Sequence, residues 1–221
     1  MRFAGLIFDF DGVLVESEWV GNKQIADWLT DAGHPTSVED SMREFMGLAG
    51  ADFIGAIERW IGRTLPDEFH TARKEEDERA MADGVGEVAG AVAFIRVLPA
   101  ALPKAICSSS SSAWVQRHLE HIGLDNVFGE MIFSGREHVA RGKPAPDLYL
   151  HAAAALGVPI ERIAIIEDSP VGVTGAVAAG ATVIGLVAGR HCLGDHAERL
   201  RALGVHHIAR DFEEVAALLS R

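Results

Sequence analysis

The stretch Gly5-Leu6-Ile7-Phe8-Asp9-Phe10-Asp11-Gly12-Val13-Leu14 decides how the chain folds. The five residues before Asp9 are apolar or small, the composition of a strand buried on both faces. Two carboxylates two residues apart follow, with a glycine directly behind them. A buried strand ending in Asp-x-Asp-Gly carries negative charge to the edge of a sheet, where a ligand or metal can neutralise it. The same letters also describe a strand followed by a plain turn, since Asp and Gly both favour turns. The ends of the later strands bear on the choice.

Downstream the texture changes. Over residues 17–83, Ile25, Trp28, Leu29, Phe53, Ile54, Ile57, Trp60 and Ile61 recur at helical spacing, broken by Gly33-His34-Pro35 and by residues 62–66. The charge-dense segment 68–82 reads as a solvated amphipathic helix. No strand-like run interrupts this stretch. After Gly84 the pattern alternates. Strands are expected at 104–107, 131–133, 162–166, 182–186 and, as a short edge, 207–208. Helices are expected at 88–98, 114–122, 148–156, 171–179, 197–203 and 212–219. Such alternation means an α/β fold with a parallel sheet and helices on both faces. The first strand belongs to that sheet, so the helical segment is an insertion behind it.

At 221 residues, 48% of them hydrophobic, the chain can bury a substantial core. A formal net charge of −12 argues against nucleic acid, whose phosphates need clustered Lys and Arg. It leaves room for a small phosphorylated ligand held by a metal and one or two cations. No apolar run approaches the roughly 20 residues of a membrane span, and the N-terminus lacks the order of a signal peptide. Cys107 and Cys192 stand far apart in no metal-binding or redox spacing, as expected of reduced thiols in a cytoplasmic protein. The ten histidines show no ligand spacing and are expected on the surface.

In an open α/β sheet, ligands sit beyond the carboxyl ends of the strands. Those ends hold Asp9 and Asp11, the run Ser108 to Ser112, and Glu167-Asp168-Ser169-Pro170, with the loop Arg141-Gly142-Lys143-Pro144-Ala145-Pro146-Asp147 between the last two. Each has a bland reading. Five serines can be a linker, Lys143 a solvated surface residue, and Glu167-Asp168 a helix cap. Together, four carboxylates, a hydroxyl and an ammonium suit phosphoryl transfer. Oxygen-only ligands select Mg²⁺ over Zn²⁺. Two other phosphate chemistries are absent. A cysteine phosphatase needs arginine six residues after Cys107, where Ala113 stands. A nucleotide P-loop needs glycine at Glu137 and Ser or Thr at Pro144.

With these motifs in order over essentially the whole chain, the sequence resembles the haloacid dehalogenase (HAD) superfamily. The nearest branch is that of β-phosphoglucomutase and small sugar-phosphate or phosphoglycolate phosphatases. The resemblance rests on Asp9-Phe10-Asp11-Gly12-Val13-Leu14, the serine after strand two, Lys143-Pro144-x-Pro146 and Glu167-Asp168-Ser169. It implies a Rossmann-like core, residues 1–15 and 84–221, with strand one in the middle of the sheet. It also implies an all-helical cap, residues 16–83, that closes over the substrate.

The implied roles are Asp9 as nucleophile and Asp11 as proton donor and then base. Ser108, Ser109 and Lys143 would hold the phosphoryl group. Mg²⁺ would bind the Asp9 carboxylate, the Asp11 carbonyl and Asp168, with Glu167 a further ligand or an outer group. Gly47, Leu48, Gly50 and Lys74 are the cap positions expected to set substrate choice. Asp11 argues against dehalogenase and phosphonate-cleaving relatives, which lack it. Gly21 and Gly50 stand where β-phosphoglucomutases carry a histidine and an arginine, which counts against a mutase. Glu16 replaces the commoner aspartate. The expected protein is a monomeric phosphatase of a small phosphorylated metabolite. A mutase, or a phospho-ligand binding module without turnover, is the alternative.

Overall fold

The computed structural model describes residues 3–46, 48 and 50–220. Two compact units emerge, Met1–Glu16 with Gly86–Arg221, and Ser17–Val85. Among the described residues the first unit carries six strands: β1 (Gly5–Phe8), β2 (Lys104–Ser108), β3 (Ile132–Ser134), β4 (Ile163–Glu167), β5 (Thr182–Leu186) and β6 (His207–Ala209). All pair in parallel in the order β3-β2-β1-β4-β5-β6, which puts β1 in the middle and β6 at an edge. The sheet is the parallel α/β core expected from the alternation, Rossmann-like as the resemblance implies.

The helices are numbered in chain order, with α1 to α4 in the second unit. The others are α5 (Ala91–Val97), α6 (Ser112–His121), α7 (Asp147–Leu156), α8 (Pro170–Ala179), α9 (His196–Ala202) and α10 (Phe212–Ser220). The two faces of β1 explain its lack of alternation. Ile7 packs with Cys107, Ile165, Val183, Tyr149 and Val173 on the α7–α8 side. Phe8 meets Phe94 of α5 and Phe128 edge-on, at ring separations of 6.3 and 6.1 Å. Each such buried side chain contributes about 1.5–3 kcal/mol, so the strand that carries Asp9 is held from both sides.

Several boundaries differ from the expected ones by a residue or more, two of them for clear local reasons. The helix expected from Val88 begins at Ala91, because Gly90 takes the left-handed region at φ 85° and Val88 N donates to Leu14 O at 3.0 Å. The strand expected from Arg162 begins at Ile163, because Ile160–Arg162 closes a 3₁₀ turn. The serine run is not a linker. Ser108 ends β2, and the Ser111 hydroxyl caps α6 by accepting from Trp114 N at 3.2 Å.

The helical unit comprises α1 (Ser17–Asp31), α2 (Val38–Phe45), α3 (Gly50–Ile61) and α4 (Asp67–Asp83). Its core gathers Ile25, Leu29, Phe45, Ile57, Ile61 and Phe69, with Trp28 and Trp60 against it. The α4 segment buries only Phe69 and Glu76, in keeping with its charged sequence. No described helix is long and apolar enough to cross a membrane.

Candidate active site

Register brings the acidic strand ends together. Phe8 pairs with Ile166, and Asp9 N donates to Ile166 O at 2.9 Å, so Asp9 stands beside Glu167. Asp9, Glu167 and Asp168 are all buried. The Lys143 ammonium, its side chain 3% exposed, pairs with Asp9 Oδ1 and lies 2.6 Å from Glu167 Oε1. Tyr149 donates its hydroxyl to the same Glu167 oxygen at 2.9 Å. Ser169 N and Oγ donate to Glu167 Oε2 at 2.8 and 3.0 Å. Burial opposes ionisation of Glu167, but Lys143 and these donors outweigh it and hold its carboxyl below the usual range. Burial likewise opposes the charge on Lys143, and Asp9 and Glu167 more than restore it.

Asp11 lies on the turn that leaves β1. Its Oδ2 accepts from Ser108 Oγ at 3.1 Å and Ser110 Oγ at 2.8 Å, and its Oδ1 from Trp114 Nε1 at 3.0 Å. Gly12, at φ 84°, makes that turn possible. A Cβ there would sit 2.1 Å from Asp168 Oδ2, so no other residue fits.

The carboxylate cluster has the chemistry of a hard-cation site. One oxygen each from Asp9, Glu167 and Asp168 lies within 4.8 Å of the others. Asp168 Oδ1 is buried with no hydrogen-bond partner among the described residues, a costly condition unless a cation takes it. Three buried acids face one ammonium. Burial, and then the neighbouring carboxylates, push Asp9 and Asp168 well above the carboxylate range, with Lys143 as the counterweight. A divalent cation fits both the oxygen donors and the missing positive charge.

A family model for haloacid dehalogenase-like hydrolases matches residues 3–180. The chain belongs to that family. It is 32% identical over 196 residues to hexitol phosphatase A of Escherichia coli (strain K12), covering 83% of each chain. It is 26% identical over 191 residues to 6-phosphogluconate phosphatase of the same organism, covering 86% of this chain and 85% of the relative. A HAD family hydrolase from Deinococcus radiodurans R1, solved with bound phosphate and sodium, superposes with a TM-score of 0.87 at 33% identity. That superposition covers 99% of this chain and 96% of the other.

HAD hydrolases are metal-dependent, and this one brings Asp9, Asp11, Ser108, Lys143, Glu167 and Asp168 to one sheet edge. Ser109 is exposed, and it is Ser110 that turns its hydroxyl to Asp11. In the helical unit, Leu48 is exposed, Gly50 opens α3, and the exposed Lys74 lies 3.7 Å from Glu78. Gly47 falls outside the described residues.

Several residues around the HAD site escaped the sequence. Trp114 and Tyr149 each sit two residues past the start of the helix that follows a site loop, and Tyr149 is the chain's one tyrosine. The expectation of surface histidines fails for His118, His191 and His196, all buried. His191 Nε2 meets Asp168 Oδ2 at 2.7 Å, and His196 Nε2 meets Asp168 O at 2.6 Å. The partners of these buried rings lie on other elements, which explains why spacing missed them.

Gly172, in the first turn of α8, is a strict requirement of this arrangement. A Cβ there would fall 1.6 Å from Glu167 Oε1, an oxygen fixed by Lys143 and Tyr149. Gly172→Ala gains helix propensity of about 1 kcal/mol but must displace α8 or break the Lys143–Glu167 pair. A net loss of about 2 kcal/mol in urea unfolding is expected. Unchanged stability would mean that Glu167 has another place to go.

Proposed function

We propose that this HAD hydrolase is a Mg²⁺-dependent phosphatase of a small phosphate monoester, a sugar or organic-acid phosphate, acting through an aspartyl phosphate. One observation carries the reading. A buried lysine is held between two carboxylates, Asp9 and Glu167, beside an Asp168 oxygen that has no hydrogen-bond partner among the described residues. That is a site which binds one cation, lacks a second, and keeps an aspartate directly against the ammonium. The relatives named for hexitol and 6-phosphogluconate phosphatase activity support a phosphorylated sugar, polyol or sugar acid as the substrate class.

In this reading an Asp9 oxygen attacks phosphorus and the ester oxygen leaves, taking its proton from Asp11. A water then attacks the aspartyl phosphate and gives a proton back to Asp11, so that inorganic phosphate departs and Asp9 is regenerated. Ser108 and Lys143 hold the transferring phosphoryl oxygens. The hydrogen bonds from Ser108, Ser110 and Trp114 hold Asp11 in place at the sheet edge. Mg²⁺, bound by the Asp9 carboxylate, the Asp11 backbone carbonyl and Asp168, would neutralise charge on those oxygens. Glu167, with donors on both oxygens, acts in this scheme by holding Lys143. The helical unit serves as the cap that selects substrate, with Leu48, Gly50 and Lys74 among its candidate contacts.

The test is a panel of phosphorylated sugars, polyols and sugar acids incubated with the purified chain and Mg²⁺. Inorganic phosphate release is expected, stopped by EDTA and restored by Mg²⁺. Isomerised sugar phosphate with little free phosphate would instead point to a mutase. No turnover of any ester, p-nitrophenyl phosphate included, would leave a binding module. Asp11→Asn should cut turnover by on the order of 10²–10⁴-fold while Mg²⁺ binding, followed by calorimetry, stays near the wild-type value. Full turnover by that variant would remove Asp11 from the proton path.

A further inference from the structure

We propose that His191, Cys192 and His196 form a second metal site, for a zinc-class cation, placed so that filling it withdraws Asp168 from the carboxylate cluster. The regulatory half of this proposal rests on the phosphatase reading; the binding half does not. One ligand atom from each of the three residues lies within 4.8 Å of the other two. Zn–N bonds of about 2.0–2.1 Å and Zn–S bonds of about 2.3 Å put the ligands of one tetrahedral centre roughly 3.3–3.6 Å apart. Closing onto a metal therefore takes side-chain shifts of about 1 Å. Cys192 Sγ already stands 3.2 Å from His191 Nε2.

Topology explains why the group is there. Strands β4 and β5 are neighbours in register, so the chain beyond β5 emerges beside Asp168 at the end of β4. The loop is held in shape from several sides. Arg190 N donates to both oxygens of Glu16 at 3.2 and 3.1 Å. The His191 ring occupies space kept open by two glycines: a Cβ at Gly12 or Gly189 would lie 2.8 or 2.4 Å from its Cε1. His191 and His196 are buried, while Cys192 is half-buried and offers the way in.

Donor chemistry separates the two sites. Two imidazoles and a thiol suit Zn²⁺ and related borderline cations, whereas the oxygen donors of Asp9 and Asp168 suit a hard one. Asp168 couples them. His191 Nε2 holds Asp168 Oδ2 at 2.7 Å, and His196 Nε2 holds Asp168 O at 2.6 Å. A cation taking both ring nitrogens removes those contacts and sets a second positive charge beside the carboxylate, drawing it as a fourth ligand. Zinc would then compete with the catalytic cation without entering its site.

Co²⁺ titration of the purified protein tests the site with the metal alone. One equivalent should produce a thiolate-to-cobalt charge-transfer band in the near ultraviolet, displaced by Zn²⁺. The band should persist in Asp9→Asn and vanish in Cys192→Ser, whose folding is checked by circular dichroism. In the presence of Mg²⁺, Zn²⁺ should inhibit phosphate release, and Cys192→Ser should need at least about tenfold more Zn²⁺ for the same effect. Absence of the band, or a band unaltered in Cys192→Ser, overturns the site. A band lost in that variant with unchanged Zn²⁺ inhibition overturns the coupling to Asp168. Failure of the phosphatase reading would show separately, as no phosphate release without zinc, and leaves the Co²⁺ titration readable.

Discussion

Asp9→Asn is expected to lower phosphate release by on the order of 10⁴-fold or more, with the fold retained. An amide is a very weak nucleophile toward phosphorus, and the neighbouring carboxylates are engaged elsewhere, Glu167 by Lys143, Tyr149 and Ser169 and Asp168 by His191. The substitution keeps shape, and Asp9 N would still pair with Ile166 O at 2.9 Å. It also replaces one of the two carboxyl groups paired with Lys143 by an uncharged amide. Because burial and the neighbouring acids push Asp9 toward its neutral form, the neutral amide should unfold no more easily than wild type without added metal. Single-turnover assays with the best ester from the panel give the rate, and urea unfolding gives the stability. Retention of more than about a tenth of wild-type turnover would rule out Asp9 as the nucleophile.

Lys143→Met carries the second large effect, on stability as well as rate. The lysine is the one cation in contact with both Asp9 and Glu167 among the described residues. Without it, buried carboxylates face one another with no counter-charge, a defect that typically costs about 3–5 kcal/mol. Methionine keeps most of the stem volume, so the loss reports charge and not a cavity. Phosphate release should fall below detection. Saturating Mg²⁺ should return part of the stability, because it replaces positive charge at the same cluster. A variant as stable as wild type in EDTA would mean that the acids are protonated throughout and that the ammonium is not what keeps them charged.

Much of the sheet is legible in the sequence. The run before Asp9 reads as a doubly buried strand because helices cover both faces of β1, and the alternation after Gly84 gives the strands of a parallel sheet without their order. Two of the shifted boundaries, at Val88 and Arg162, lie where a left-handed glycine or a 3₁₀ turn interrupts a continuous apolar pattern. Periodicity carries no record of those local backbone choices.

The acids, the lysine and the serine run could be selected as a site from the sequence because each follows a strand or opens a helix, and strand ends share one edge in this fold class. Which serine faces which acid could not be read. Ser109 and Ser110 are chemically identical, and only the turn after β2 exposes one and aims the other at Asp11. Tyr149, Trp114 and His191 reach the site from helices and a loop far along the chain, through contacts set by packing. The sequence by itself determined the parallel α/β core, the helical segment behind β1 and the acids and lysine of the candidate site, because period and charge are local properties. Tertiary structure alone decided that β4 and β5 stand side by side, and so brought a histidine–cysteine cluster to the back of Asp168. Spatial neighbours across a parallel sheet are separated by whole helices of sequence, and no local pattern spans that distance.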